Sequence, residues 1–151
     1  MAIQIENRQS EAKIDLRRIR SVLTRLLKRL GRDDCELSLL FVDDMAIREI
    51  NRSYLNRDHA TNVISFPMQE GEFGGVNPNV LGDIVVSVET ARAEAKKARI
   101  ATDDEIDFLL IHGLLHLVGY NHENTPAAEA ERMKEMEDEL FFFLKGYRLA
   151  H

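Results

Sequence analysis

The alternation of hydrophobic and polar residues along the chain predicts a series of short strands and amphipathic helices. Apolar residues at positions i, i+3 and i+4 mark the helices, and short runs rich in β-branched residues mark the strands. The predicted strands cover residues 2–6, 36–42, 61–66 and 81–88. The predicted helices cover residues 19–30, 44–54, 91–100, 106–118 and 126–143. The loop at 70–79 is long enough to suggest a functional role.

One predicted helix is hydrophobic almost all round. The sequence IDFLLIHGLLHLV at residues 106–118 is apolar on nearly every face, which is typical of a helix buried inside a domain. Two histidines interrupt it. Because His112 and His116 are four residues apart, their imidazoles lie on one face and can reach a common ion. Gly119 then allows the helix to end and the chain to turn, and His122 follows.

The spacing of these residues, H-x-x-x-H-x-x-G-x-x-H, is that of metzincin zinc sites. Three imidazoles at ~2.0–2.1 Å leave one position of a tetrahedral zinc ion open for water, which is a catalytic arrangement. We therefore predict one Zn²⁺ per chain, held by His112, His116 and His122. The alternative is a set of core histidines satisfied by hydrogen bonds, but two imidazoles on one buried face favour a shared metal. Iron, nickel or manganese also suit imidazole ligands, and zinc is the default.

The residue after the first histidine restricts the reaction. Metallopeptidases of this spacing have a glutamate general base there, whereas this chain has Gly113. Cleavage of a phosphodiester needs no protonation of an amine leaving group, so a metal that activates water requires less help. This position therefore disfavours peptide hydrolysis and favours nuclease chemistry.

Length, charge and cysteine content restrict the setting. The 151 residues correspond to one domain, residues 1–151, and the net charge of −6 argues against a surface that binds nucleic acid throughout. The single cysteine, Cys35, cannot form an internal disulfide, and the sequence suggests neither a signal peptide nor a membrane-spanning run. We therefore expect a cytoplasmic protein.

The histidine motif also carries a resemblance to a known family. The stretch HGLLHLVGYNHE resembles the YbeY family of bacterial endoribonucleases. Two further segments match motifs of that family in the same order, T-N-V-I-S-F-P at residues 61–67 and L-G-D-I at residues 81–84. The resemblance covers roughly residues 37–140, and the histidine motif is its most specific part.

This resemblance implies a zincin-like α+β fold, in which the metal helix packs beneath a mixed sheet of about four strands. It implies the three histidines as zinc ligands and single-stranded RNA as the substrate. It further implies a role in ribosomal RNA 3′-end maturation and ribosome quality control. The expected partners are ribosomal RNA and the ribosome or its proteins, and neither DNA nor a membrane is expected.

Three residues depart from the family pattern. Asn62 and Asn121 stand where the resemblance predicts aspartate, and Leu55 stands where it predicts an arginine that contacts RNA. We expect either that Arg57, two residues on, replaces this arginine or that the rate and substrate preference differ. Ser65 matches a serine of the family and is a candidate catalytic residue in the cleft, although a serine in a strand is more often structural.

The first helix offers a further RNA-binding surface. Its arginine stripe spans about 60° beside the apolar face, and it is either a grip on the RNA backbone or an ordinary solvated face. The residues of the stripe are Arg18, Arg25, Arg29 and Arg32. Two other functions remain open: a metzincin-like metallopeptidase, and a non-catalytic ribosome assembly factor in which the metal only stabilises the fold.

Overall fold

The computed structural model describes residues 3–68, 79–120 and 127–149. The strands are β1 (Ile3–Asn7), β2 (Glu36–Val42), β3 (Val63–Pro67) and β4 (Val80–Ser87). The helices are α1 (Leu16–Arg29), α2 (Asp44–Leu55), α3 (Val88–Ala98), α4 (Thr102–Leu117) and α5 (Ala127–Lys145). Most of the loop predicted at 70–79 lies outside the described residues, as do Asn121, His122 and Pro126.

The four strands form one mixed sheet in the order β1-β2-β4-β3. Strand β2 pairs in parallel with both β1 and β4, whereas β3 runs antiparallel to β4. The predicted α+β fold with a mixed sheet of about four strands is therefore confirmed. The antiparallel register pairs Ser65 with Ile84, so the T-N-V-I-S-F-P and L-G-D-I segments of the sequence lie side by side.

Each face of the sheet buries its own set of side chains, because successive residues of a strand point to opposite faces. One face, which carries Leu39 and Ile84, packs against α1, α3, α4 and α5 and forms the larger core. The other face carries Ile64 and Val85, which pack against Ile47 of α2. The helix that holds the two histidines therefore lies on the larger core, as its uniformly apolar sequence predicts.

The start of α1 and both ends of α2 follow capping residues in the sequence. The carboxylate of Asp15 accepts the main-chain N–H groups of Arg17 and Arg18 at the start of α1. Asp43 accepts the N–H of Ala46 at the start of α2, at a distance of 2.9 Å. At the other end of α2, Asn56 adopts a left-handed conformation with φ 56°, which stops the helix and turns the chain back.

A buried ion cluster joins α1, α4 and α5. Asp107 of α4 is fully buried and accepts two hydrogen bonds from the guanidinium of Arg18, at 2.7 and 3.1 Å. The ammonium group of Lys145 lies 2.6 Å from the same carboxylate. A buried carboxylate is tolerated when it is paired in this way, so the cluster fixes the position of α5 relative to α4.

Three arginines of the α1 stripe contact other parts of the chain. Arg18 is engaged by Asp107, and the guanidinium of Arg29 lies 3.3 Å from Glu139 of α5. The guanidinium of Arg25 lies 5.2 Å from the ring centre of Phe143. Three arginines of the stripe therefore contact α4 or α5, and a role of the stripe in RNA binding stays a prediction. Within the described ranges, no helix has both the length and the apolar character needed to span a bilayer.

Candidate active site

Two of the three predicted ligands lie on successive turns of α4 and face each other. The Nε2 atoms of His112 and His116 are 3.1 Å apart, and the ring centres are 4.6 Å apart with an angle of 76° between the planes. The expectation that both rings reach a common point therefore agrees with the geometry. The third predicted ligand, His122, lies outside the described residues.

The arrangement of these two rings fits a metal ion. Two nitrogens bound to one tetrahedral zinc at ~2.0–2.1 Å are about 3.3–3.4 Å apart, close to the separation of the two Nε2 atoms. Among the described residues, no group of three histidine, cysteine, aspartate or glutamate side chains is placed to hold a metal ion. The third ligand predicted from the sequence motif, His122, lies outside those ranges, and the three-histidine site stays a prediction.

On its other side, His112 contacts an acidic residue of α5. The Nδ1 atom of His112 lies 2.6 Å from a carboxylate oxygen of Glu137, whose exposure is only 9%. Glu137 is not among the residues predicted from the motif. One sequence signal points to it, because it lies four residues after Met133 and four before Phe141, on the buried stripe of α5.

The two histidines open into a cleft of about 420 Å³ between α4, β3 and the turn after α2. The polar and apolar side chains that line it with the histidines include Leu55, Arg57, His59, Asn62, Ser65 and Tyr120. The structure therefore brings together both histidines of α4 and the two candidate catalytic residues predicted from the sequence. The cleft falls within the range of ligand pockets, about 300–1,000 Å³.

The glycine that replaces the metallopeptidase glutamate lies against the sheet. A Cβ atom added to Gly113 would be 3.1 Å from both Ile84 Cγ2 and Ser65 Oγ, which is closer than an ordinary van der Waals contact. A glutamate side chain at this position would therefore begin against Ile84 and Ser65, where even its first carbon is crowded. The glycine is therefore explained by the packing of the helix against the sheet.

Ser65 takes part in the same contact. Its hydroxyl donates a hydrogen bond to the main-chain carbonyl oxygen of Gly113, at a distance of 3.1 Å. The bond joins the edge strand β3 to the middle of α4, beside the histidines. Ser65 thus lines the cleft and also has a structural contact, and its catalytic role stays a prediction.

Comparison with known proteins bears on the identity of this site. The family model described as Endoribonuclease YbeY matches residues 4–145 of the chain. The chain belongs to the YbeY family. The resemblance inferred from the three sequence motifs is therefore confirmed and extends over nearly the whole chain.

Individual YbeY relatives agree with the family match. Endoribonuclease YbeY of Syntrophus aciditrophicus (strain SB) is 56% identical over 149 residues, which is 99% of this chain and 93% of that protein. Endoribonuclease YbeY of Geobacter sulfurreducens is 48% identical over 146 residues, 97% of each protein. The solution structure of TM1509 from Thermotoga maritima matches with a TM-score of 0.62 at 21% identity, over 95% of this chain and 92% of that chain. At that identity, the structural likeness supports the fold alone.

Leu55, which departs from the YbeY pattern, is the last residue of α2 and is followed by a turn that lines the cleft. The side chain of Asn51, only 2% exposed, donates a hydrogen bond to the main-chain oxygen of His59 at 2.9 Å. The main-chain N–H of Arg57 donates to the carbonyl oxygen of Asn51 at 3.2 Å. Asn51 therefore holds a turn that places Leu55, Arg57 and His59 on one wall of the cleft. His59, like Glu137, is not among the predicted site residues.

A second departure from the YbeY pattern, Asn62, has a structural explanation. Its side-chain amide donates to the carboxylate of Glu94 in α3, at 3.1 Å, and its oxygen accepts the main-chain N–H of Val63 at 2.7 Å. Burial and the neighbouring Glu94 carboxylate raise the pKa of Glu105, at the start of α4, to about 7. An aspartate at position 62 would add a third carboxylate here, so the amide suits this YbeY chain better.

Proposed function

We propose that this chain is a zinc-dependent endoribonuclease that cuts single-stranded RNA, with one Zn²⁺ held by His112, His116 and His122. One observation carries the proposal: the Nε2 atoms of His112 and His116 lie 3.1 Å apart at the end of a polar cleft. A zinc ion held there by three imidazoles supplies a Lewis acid for the phosphoryl oxygen and an activated water.

Substrate binding in this proposal falls to the wall formed by the turn after α2. The guanidinium of Arg57 is planar and binds two phosphate oxygens at once, which suits the phosphodiester backbone of RNA. Because Arg57 lies in the same cleft as Leu55, it takes over the phosphate contact that the family assigns to an arginine at position 55. Membership in the YbeY family supports RNA as the substrate.

His59 is the candidate for proton transfer in the cleft. Its Nδ1 atom lies 3.1 Å from the carbonyl oxygen of Ala60, and because a carbonyl only accepts, a hydrogen bond between them requires the proton on Nδ1. The neutral ring then has an acceptor at Nε2, and the protonated ring has a donor there. Because His59 lines the same cleft as His112 and His116, we propose this nitrogen as the group that takes a proton from the nucleophile or gives one to the leaving oxygen.

The proposed setting is ribosomal RNA 3′-end maturation in the cytoplasm, with ribosomal RNA and the ribosome or its proteins as partners. The net charge of −6 and the engagement of the α1 arginines within the chain leave weak general attraction for RNA. An enzyme of this kind depends on its partner to bring the substrate close. A non-catalytic assembly role would need the same partner but no cleavage.

The proposal is tested by incubating the purified chain with single-stranded RNA and, separately, with an unstructured protein, each with and without a zinc chelator. We expect cleavage of RNA that the chelator abolishes and added zinc restores, with the protein left intact. A folded His116→Ala variant should cut RNA at less than a hundredth of the wild-type rate. Cleavage of RNA at the wild-type rate by this variant, or chelator-sensitive proteolysis with intact RNA, would overturn the proposal.

A further inference from the structure

The side of His112 that faces away from His116 contacts a second helix, α5. There, Glu137 of α5 places a carboxylate oxygen 2.6 Å from Nδ1 of His112, while Nε2 of the same ring faces His116. The two nitrogens of this imidazole thus have different neighbours, a carboxylate at Nδ1 and a second histidine at Nε2. The carboxylate is 9% exposed and lies on the same buried stripe of α5 as Met133 and Phe141.

The chemistry of this contact determines which nitrogen of His112 carries the proton. An ionised carboxylate only accepts hydrogen bonds, so Nδ1 must donate to it. In the neutral ring, Nε2 is then left with its lone pair directed to the point shared with His116. This is the tautomer that a metal ion needs, and carboxylates commonly orient metal-binding histidines in this way.

We propose that Glu137 is a positioning residue, which fixes His112 in the tautomer and ring orientation that bind zinc. The inference rests on the proposed function, because it assigns His112 to a metal. It adds a residue from a different helix, outside the histidine motif. Since Lys145 at the end of α5 binds the buried Asp107 of α4, the position of this carboxylate is also fixed by the ion cluster.

The first test measures zinc affinity by competition with a coloured chelator, for the wild-type chain and two variants. Glu137→Gln keeps the size of the side chain and removes its charge. Glu135→Gln makes the same charge change two residues away, at an exposed position of the same helix. We expect zinc affinity to fall about 10–100-fold in Glu137→Gln and less than twofold in Glu135→Gln. Equal affinity for all three chains would overturn the role of Glu137.

The second test reads the tautomer of His112 directly in the metal-free chain, from long-range nitrogen–proton correlations of the imidazole in an NMR spectrum. We expect the proton on Nδ1 in the wild type and a mixture of both tautomers in Glu137→Gln. A proton on Nε2 in the wild type would overturn the inference. The two proposals also fail differently, because a wild-type chain that binds no zinc contradicts the proposed function while the spectrum still decides whether Glu137 sets the tautomer.

Discussion

The hydroxyl of Ser65 donates a hydrogen bond to the main-chain oxygen of Gly113, 3.1 Å away, and so fastens the edge strand β3 to the helix that bears both histidines. The same approach leaves little room for a side chain at position 113, where a Cβ would lie 3.1 Å from Ser65 Oγ. Gly113, whose place in the motif disfavours a peptidase, is thus favoured by the packing of α4 against the sheet. The cleft owes its shape to this close contact between helix and sheet.

Gly113→Ala tests that contact. Alanine in a helix interior is favoured over glycine by about 1 kcal/mol, whereas overpacking a core costs about 1–3 kcal/mol. We expect the crowding against Ile84 and Ser65 to prevail and to lower the free energy of unfolding by about 1 kcal/mol, measured with urea. A variant more stable than the wild type would show that the sheet lies farther from α4 than the structure has it.

Arg57→Ala tests whether Arg57 makes the phosphate contact that the family pattern assigns to an arginine at position 55. We expect kcat/KM for single-stranded RNA to fall about 10–100-fold, because a charged hydrogen bond to phosphate is worth about 1.5–3 kcal/mol. Leu55→Arg added to this variant should restore most of the activity, since residue 55 lines the same cleft. Arg52→Ala, an exposed change on α2 outside the cleft, serves as the matched control. A loss of equal size in the control would remove Arg57 from substrate binding.

Glu105→Gln tests the acidic pair between α3 and α4. The pKa of Glu105 is raised to about 7 from an ordinary value of 4.5, so the folded chain binds more protons than the unfolded chain between these pH values. Stability therefore falls as the pH rises from about 4.5 through about 7.

The variant lacks this titration. We expect it to be more stable than the wild type by about 1 kcal/mol at pH 8 and equally stable at pH 4, a modest gain because water screens the partly exposed pair. Urea unfolding at both pH values is the measurement, and Glu131→Gln on the exposed face of α5 is the control. A constant difference at the two pH values would contradict the shifted pKa.

Asp107→Ala tests the ion cluster that positions α5. The substitution leaves the charges of Arg18 and Lys145 without the buried carboxylate, and breaking a buried pair costs about 3–5 kcal/mol. We expect thermal unfolding to show that the free energy of unfolding falls by about 3 kcal/mol. Asp103→Ala removes a more distant carboxylate, 3.6 Å from Arg18 and 59% exposed, and should cost less than about 1 kcal/mol. Similar losses for the two variants would contradict the central place of Asp107.

The periodicity of the sequence predicts most of the fold, because each helix and strand is marked by its own local pattern. The predicted strand at 36–42 coincides with β2, and the Asp43 cap begins α2 as expected. The order of the strands could not be predicted in this way. It depends on which strand pairs with β4, and the local pattern does not contain that information.

In the candidate site, too, the features that depend on local spacing could be predicted, and those that depend on contacts between distant helices could not. His112 and His116 could be placed on one face because helical spacing is local, and the structure brings their Nε2 atoms together. Glu137 and the partners of the α1 arginines arise from contacts between helices distant in sequence. A glutamate on an apolar stripe does not by itself predict a site residue. Its role becomes visible only when the structure shows a histidine on the neighbouring helix.

In the proposed site, three imidazoles share one zinc ion and leave one of its positions open for water. X-ray absorption at the zinc edge of the loaded, RNA-free chain tests this arrangement most directly. We expect three nitrogen ligands of histidine type at ~2.0–2.1 Å and one oxygen from water, with one nitrogen lost in His122→Ala. Four ligands from protein side chains, or an unchanged spectrum in His122→Ala, would contradict the account.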